Sequence, residues 1–165
     1  MRPYLHCLAV SFAASALLVS PALAQAPTAQ FNVQITINAE CQINSASDLN
    51  FPSSGVIDTA VEASSAIAVQ CTNGTDYDIG LSAGTGATAT VAARQMTGTG
   101  GETVTYSLYT DAGHADVWGD QIGTDTLAAT GTGAEQTYPV YGQVPVQETP
   151  TAGVYTDTIT VTLTY

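Results

Sequence analysis

The chain has 165 residues, of which 45% are hydrophobic and 10% are charged, and it contains 2 Lys+Arg against 14 Asp+Glu. A formal net charge of −12 excludes nucleic-acid binding as the function, because phosphate contacts need several basic side chains. The same charge disfavours an anionic membrane surface as a partner.

The first 24 residues have the pattern of a signal peptide. Met1-Arg2 supplies a short positive start, residues 5–19 are mostly apolar, and Ala22-Leu23-Ala24 forms an A-x-A cleavage signal. We therefore expect residues 1–24 to be removed on export, with no membrane insertion afterwards. A retained anchor is the alternative, since the apolar stretch approaches the roughly 20 residues that a spanning helix needs. The remaining length suits one domain with a substantial core.

An amphipathic segment lies at the start of the predicted mature chain, in residues 25–40. Its apolar residues are Phe31, Val33, Ile35 and Ile37, which alternate with Asn32, Gln34, Thr36 and Asn38. Alternation of this kind predicts a β-strand with one apolar and one polar face. Such a strand needs a partner edge to pair with.

The predicted mature chain keeps two cysteines, Cys41 and Cys71. In an oxidising compartment two such cysteines usually form one disulfide bond, which we predict here. A two-ligand metal site is the first alternative, but it lacks further ligands. A reactive thiol is the second, but it lacks basic neighbours.

From Cys41 onward the sequence predicts an all-β domain, residues 41–165. Short alternating runs are separated by Gly, Pro, Asn and Asp, and no run has convincing helical periodicity. Besides the N-terminal run at residues 31–37, strands are predicted within residues 67–71, 77–81, 104–108, 138–141 and 153–165, with a short one around Val91. The last run carries Tyr155, Ile159, Val161, Leu163 and Tyr165 at alternate positions, interrupted by Asp157.

Seven short sequence blocks, spread over the predicted mature chain, resemble blocks found in known proteins. They are CQI at 41–43, LNF at 49–51, IAVQC at 67–71, YSLYTD at 106–111, VWG at 117–119, YGQVP at 141–145 and AGVYTDTITVTLTY at 152–165. Together they resemble the spore coat protein U family and, with it, the pilins of archaic chaperone-usher pili. The C-terminal block is the most specific. Between Asp111 and Trp118 the chain departs from the basic residues common in the family.

The resemblance implies an immunoglobulin-like β-sandwich that lacks its last strand. It implies export to the periplasm, a dedicated chaperone, an outer-membrane usher, and a cell-surface or extracellular fibre with a role in adhesion or biofilm formation. Residues 25–40 would then be a donor segment, whose Phe31, Val33, Ile35 and Ile37 fill the groove of a neighbouring subunit. The acceptor or chaperone-binding strand would contain Tyr155, Ile159, Val161, Leu163 and Tyr165. The alternative is that residues 29–38 pair within their own domain.

The sequence indicates no cofactor, no metal and no enzymatic activity. His114 lies in an Asp/Gly-rich turn, where we expect it to be solvated. Asp76-Tyr77-Asp78 resembles the start of a calcium loop, but the remaining ligands and the closing Glu are missing. We therefore expect a turn that leads into a strand.

Two other functions remain open at this point. A secreted carbohydrate- or surface-binding sandwich could present Trp118, Tyr109 and Tyr141, although their places in or beside strand patterns favour the core. A coat-layer protein that does not polymerise by strand exchange is the second. Neither alternative changes the predicted fold.

Overall fold

Residues 25–165 are described by a computed structural model, and they contain nine β-strands and no helix. The strands are β1 (Cys41–Ala46), β2 (Val61–Cys71), β3 (Asp76–Leu81), β4 (Arg94–Gly98), β5 (Thr103–Tyr109), β6 (Leu127–Thr130), β7 (Glu135–Val144), β8 (Tyr155–Thr156) and β9 (Val161–Thr164). The predicted all-β class is confirmed. No helix that could cross a membrane occurs in this range. The predicted signal peptide, residues 1–24, lies outside the described residues.

Residues 36–165 form one compact unit, a sandwich of two antiparallel sheets. The larger sheet has the order β1-β2-β7-β5-β4-β8, and the smaller has the order β6-β3-β9. The long β2–β7 ladder runs from Val61 opposite Val144 to Gln70 opposite Glu135. Residues 25–35 belong to a separate unit and contain no strand.

One hydrophobic core fills the space between the two sheets. Alternate side chains of each strand point inward, as a period of two requires. The buried core positions of β3, β5 and β7 are Tyr77, Ile79, Leu81, Val104, Tyr106, Leu108, Val140 and Val144. Trp118 is fully buried and donates its indole N–H to the carbonyl of Ile79 at 2.8 Å. Trp118 is therefore a core residue, as its place beside a strand pattern predicts. The same expectation is wrong for Tyr109 and Tyr141, which are half-buried and lie outside the core.

The strongest base of the described chain is buried inside the domain. Arg94, at the start of β4, has 0% exposure, and its guanidinium donates only to backbone carbonyls. Nε donates to Ser82 at 2.9 Å, Nη1 to Val91 at 2.7 Å, and Nη2 to Leu81 and Trp118 at 3.0 and 2.7 Å. Arg94 therefore joins β4 to the end of β3 and to the segment around Trp118. No Lys or Arg side chain is exposed on residues 25–165, because Arg94 is the one such residue in this range.

The C-terminal run differs from the single strand that its alternation predicts. Residues 155–156 form β8 of the six-stranded sheet, whereas residues 161–164 form β9 of the three-stranded sheet. The change of sheet occurs at Asp157, an inward position that an ionised carboxylate can occupy only with hydrogen-bond partners. The strand predicted around Val91 is wrong as well, because only a bridge between Thr90 and Ala93 forms there.

A disulfide bond fastens the first strand to the second. Cys41 and Cys71 are bonded, as the sequence predicts, and they are also cross-strand partners in the β1–β2 ladder. Next to the bond, Thr72 Oγ1 donates to the carbonyl of Asn38 at 3.1 Å, and Thr72 N donates to Glu40 O at 2.9 Å. These contacts fix the chain from Asn38 onward against the end of β2.

The disulfide should account for a large part of the stability. We expect its reduction to lower the free energy of unfolding by about 3 kcal/mol, because the bond closes a loop of about 30 residues in the unfolded chain. Urea unfolding with and without reductant measures the difference. The Cys41→Ser/Cys71→Ser double variant is the control, since reductant should not change its midpoint. Equal midpoints for the oxidised and reduced wild-type protein would contradict the prediction.

Candidate functional site

Two edge strands of the sandwich lie beside each other without pairing. Within the described residues β1 pairs only with β2, and β9 pairs only with β3. Some Cα atoms of β1 and β9 nevertheless lie within 8 Å of each other. Each of the two strands therefore keeps one edge whose N–H and C=O groups are available to another strand.

An apolar cavity of about 480 Å³ opens into the core beside these edges. Both sheets contribute to its wall, which includes Ile67, Leu81, Met96, Tyr106, Leu108, Val140 and Val161. Leu49 and Phe51, in the irregular segment after β1, line it too. The cavity and the two strand edges together are called the groove below.

The predicted acceptor residues do not lie on one strand, because the C-terminal run passes from the six-stranded sheet to the three-stranded sheet. Tyr155, Ile159, Val161 and Leu163 are half-buried, whereas Tyr165 is 59% exposed. Tyr155, Ile159 and Val161 line the groove, while Leu163 packs against the core beside it. The threonines between them are exposed. The structure thus brings three of the five residues to the groove wall.

Asp157 holds the C-terminal run at the point where it changes sheet. Its carboxylate accepts hydrogen bonds from Thr85 N, Thr85 Oγ1 and Thr158 N at 2.7–2.8 Å, and from Tyr106 Oη at 2.8 Å. Burial opposes ionisation of the carboxyl, but these hydrogen bonds hold the pKa of Asp157 below its usual value. The sequence showed this residue only as an interruption of the pattern. A carboxylate at an inward strand position is the signal that could have identified it.

The predicted donor residues are exposed. Phe31 and Val33 are each 86% exposed, Ile35 is 82% exposed and Ile37 is 69% exposed. Residues 25–40 belong to none of the nine strands. The pairing of residues 29–38, within their own domain or with a neighbouring subunit, stays a prediction.

Comparison with known proteins identifies the family. Residues 27–162 match the Spore Coat Protein U domain. The chain belongs to this family. It is 33% identical over 174 residues to "Protein U" of Myxococcus xanthus, covering 95% of each chain. The family resemblance predicted from the short sequence blocks is confirmed.

The fold of this spore coat protein U family member is similar to that of a solved pilus structure. A chain in the crystal structure of the CsuC-CsuE chaperone-tip adhesion subunit pre-assembly complex, from the archaic chaperone-usher Csu pili of Acinetobacter baumannii, matches with a TM-score of 0.60 and 24% identity. The match covers 79% of this chain and 41% of that chain, so the protein spans about two fifths of that chain's length. The similarity establishes a shared fold.

The other residues considered from the sequence make structural contacts. Asp76 and Asp78 lie in β3, and their carboxylates accept hydrogen bonds from Thr130 and Thr126, each at 2.7 Å. The predicted turn into a strand is therefore correct. Within residues 25–165 no group of three His, Cys, Asp or Glu side chains is arranged to hold a metal ion. The His114 side chain is only 13% exposed, which differs from the expected solvated histidine.

Proposed function

We propose that this protein is a structural subunit of an exported surface fibre, and that its copies join by donor-strand complementation. One observation carries the proposal. The same chain has an open apolar groove and an N-terminal segment with four exposed apolar side chains at alternate positions. The segment has the period that a strand needs to fill a half-open sandwich.

Burial of the donor side chains supplies the main driving force. Placing Phe31, Val33, Ile35 and Ile37 in a groove is worth about 6 to 12 kcal/mol before the ordering of the segment is subtracted. Hydrogen bonds to the edges of β1 and β9 add about 0.5 to 1.5 kcal/mol each. The donor and the groove are different surfaces of one chain, so the contact is heterologous and builds open filaments.

The charge distribution is compatible with insertion of this segment into a groove of the domain. All 14 acidic residues follow Ala39, and residues 25–39 contain no charged side chain. Asp157, at the groove, already has four hydrogen-bond donors around its carboxylate. Because the segment is uncharged, its insertion would place no additional negative charge next to the acidic residues of the subunit that receives it.

The family resemblance supplies the remaining parts of the proposal. A periplasmic chaperone would occupy the groove during transit, an outer-membrane usher would exchange it for the next subunit, and the fibre would act in adhesion or biofilm formation. An unfilled groove would leave core side chains and two strand edges in water, and such surfaces aggregate. A chaperone that covers the groove during transit would prevent this aggregation.

A synthetic peptide of residues 29–38 tests whether the groove takes this strand. Added to the purified mature chain at about 100 times its Kd, it should raise the free energy of unfolding by about 2.7 kcal/mol. The control peptide carries Asp at both Val33 and Ile35, and it should leave the thermal midpoint unchanged. A coat-layer protein that does not exchange strands would respond to neither peptide, and that result would reject the proposal.

A further inference from the structure

The outward face of the six-stranded sheet carries a pair of tyrosines. Tyr109 of β5 and Tyr141 of β7 are cross-strand partners, and both are half-buried. Neither hydroxyl makes a hydrogen bond within the part of the chain that the structure describes. Four other tyrosine hydroxyls are hydrogen-bonded, those of Tyr77, Tyr106, Tyr138 and Tyr155. Tyr109 and Tyr141 therefore have both ring surface and hydroxyl available to a ligand.

The turn that follows β5 is held in one conformation beside this pair. The carboxylate of Asp111 accepts hydrogen bonds from the N–H groups of Gly113, Ala115 and Asp116 at 2.8–3.0 Å. These bonds lower the pKa of Asp111 below its usual value. Within the turn His114 has φ = 54°, a left-handed conformation that non-glycine residues adopt rarely and at a cost. The surrounding hydrogen bonds thus impose the position of His114.

His114 extends the tyrosine pair with polar groups. Its ring meets the Tyr109 ring edge-on, with 5.0 Å between centroids. Its Nδ1 lies 3.4 Å from Gln143 Nε2 and 3.6 Å from Glu62 Oε1. Gln143 is itself the cross-strand partner of Glu62 and donates to it at 3.2 Å. Imidazole, amide and carboxylate groups are therefore fixed next to two aromatic rings.

This combination matches the chemistry of a sugar. The apolar C–H face of a pyranose ring packs against an aromatic ring, while its hydroxyls need both donors and acceptors, which Gln, Glu, His and Tyr side chains provide. Tyrosine also offers a large contact area at a small cost in conformational entropy. An anionic sugar would be repelled, because no exposed Lys or Arg occurs on residues 25–165.

We propose that the face around Tyr109 and Tyr141, flanked by His114, Gln143 and Glu62, binds a neutral glycan. The site lies on the outward face of the sheet, whereas the groove opens into the core. The inference therefore stands independently of strand exchange. In a fibre of many copies, weak binding at each site would add up by avidity.

Binding of neutral hexasaccharides to the purified mature chain tests this inference. Maltohexaose, cellohexaose and chitohexaose are the probes, and a heparin hexasaccharide is the anionic comparison. In saturation-transfer NMR, irradiation of aromatic protons should transfer to the C–H protons of at least one neutral sugar and not to heparin. Tyr141→Thr should weaken that binding about tenfold, the loss of one aromatic contact. Thr suits an outward strand position, so the fold should persist.

Val154→Thr is the control, because Val154 is an exposed apolar side chain next to β8 and lies outside this cluster. Its affinity should stay within about twofold of wild type. The inference is wrong if none of the three neutral sugars binds, or if the two variants weaken binding equally. Filament formation by a chain that binds no sugar would overturn this inference alone. Sugar binding by a chain that forms no filaments would support the glycan site and count against strand exchange.

Discussion

A chain that carries Val33→Asp and Ile35→Asp is expected to keep its fold and to form no filaments. Both wild-type side chains are more than 80% exposed in the isolated chain, so their replacement removes no contact from the domain. In the groove of a neighbour, each carboxylate would lose its hydration without gaining a partner, which costs several kcal/mol. Electron microscopy and size-exclusion chromatography of the purified mature chain measure the effect.

The chain itself offers a control with the same charge. Gln34→Asp and Thr36→Asp place two carboxylates on the polar face of the same segment, where they stay in water after strand insertion. This control variant should still form filaments. Filaments of normal yield from the Val33→Asp/Ile35→Asp chain would contradict the donor-strand proposal. If both variants lost their filaments, the added charge alone would explain the loss, and the apolar face of the segment would not be the cause.

Replacing Arg94 should have the largest effect on folding. Arg94→Met removes the donor to four buried carbonyls, those of Ser82, Val91, Leu81 and Trp118, and Met offers no hydrogen bond in return. We expect the free energy of unfolding to fall by about 3 to 5 kcal/mol, the usual cost of breaking a buried charged network. Arg94→Lys should recover only part of this loss, because an ammonium cannot reach all four acceptors from one point.

Urea unfolding of the Arg94 variants measures these changes. Thr97→Met is the matched control, since it introduces the same side chain at an exposed position of β4 and should change the stability by less than about 0.5 kcal/mol. If Arg94→Met and Thr97→Met unfold at the same urea concentration, the guanidinium is not what holds β4 to β3.

Regular alternation identified most of the strands that form, but the regular run at residues 31–37 forms no strand in this structure. The β5 residues Val104, Tyr106 and Leu108 are apolar at every second position, and they are buried as predicted. The strands β1, β4 and β6 were missed, because Cys-Gln-Ile-Asn-Ser-Ala, Arg-Gln-Met-Thr-Gly and Leu-Ala-Ala-Thr show no alternation over their whole length. Arg94 faces inward because backbone carbonyls of other segments accept hydrogen bonds from its guanidinium. The local sequence pattern does not indicate which residues supply them.

The groove was predictable in part for the same reason. The alternating residues of the C-terminal run predicted one strand, but Asp157 divides it. Its carboxylate accepts hydrogen bonds from Thr85 and Tyr106, which lie 72 and 51 residues away. Leu49 and Phe51 reach the groove wall only because Gly142 lacks a side chain. A Cβ there would lie 2.9 Å from Leu49 Cδ1 and 3.0 Å from Phe51 Cζ. Close approaches of this kind depend on tertiary packing.

The disulfide at the root of the N-terminal segment has a mechanical consequence. In a fibre joined by strand exchange, tension between two subunits would be transmitted through residues 31–38 of one of them. That tension would enter the β-sandwich of the same subunit near Cys41. The bond to Cys71 passes this load covalently to β2, which the ladder from Val61 to Gln70 anchors along β7. Tension that arrives through the N-terminal segment can therefore reach β2 through the disulfide without passing through the hydrogen bonds between β1 and β2.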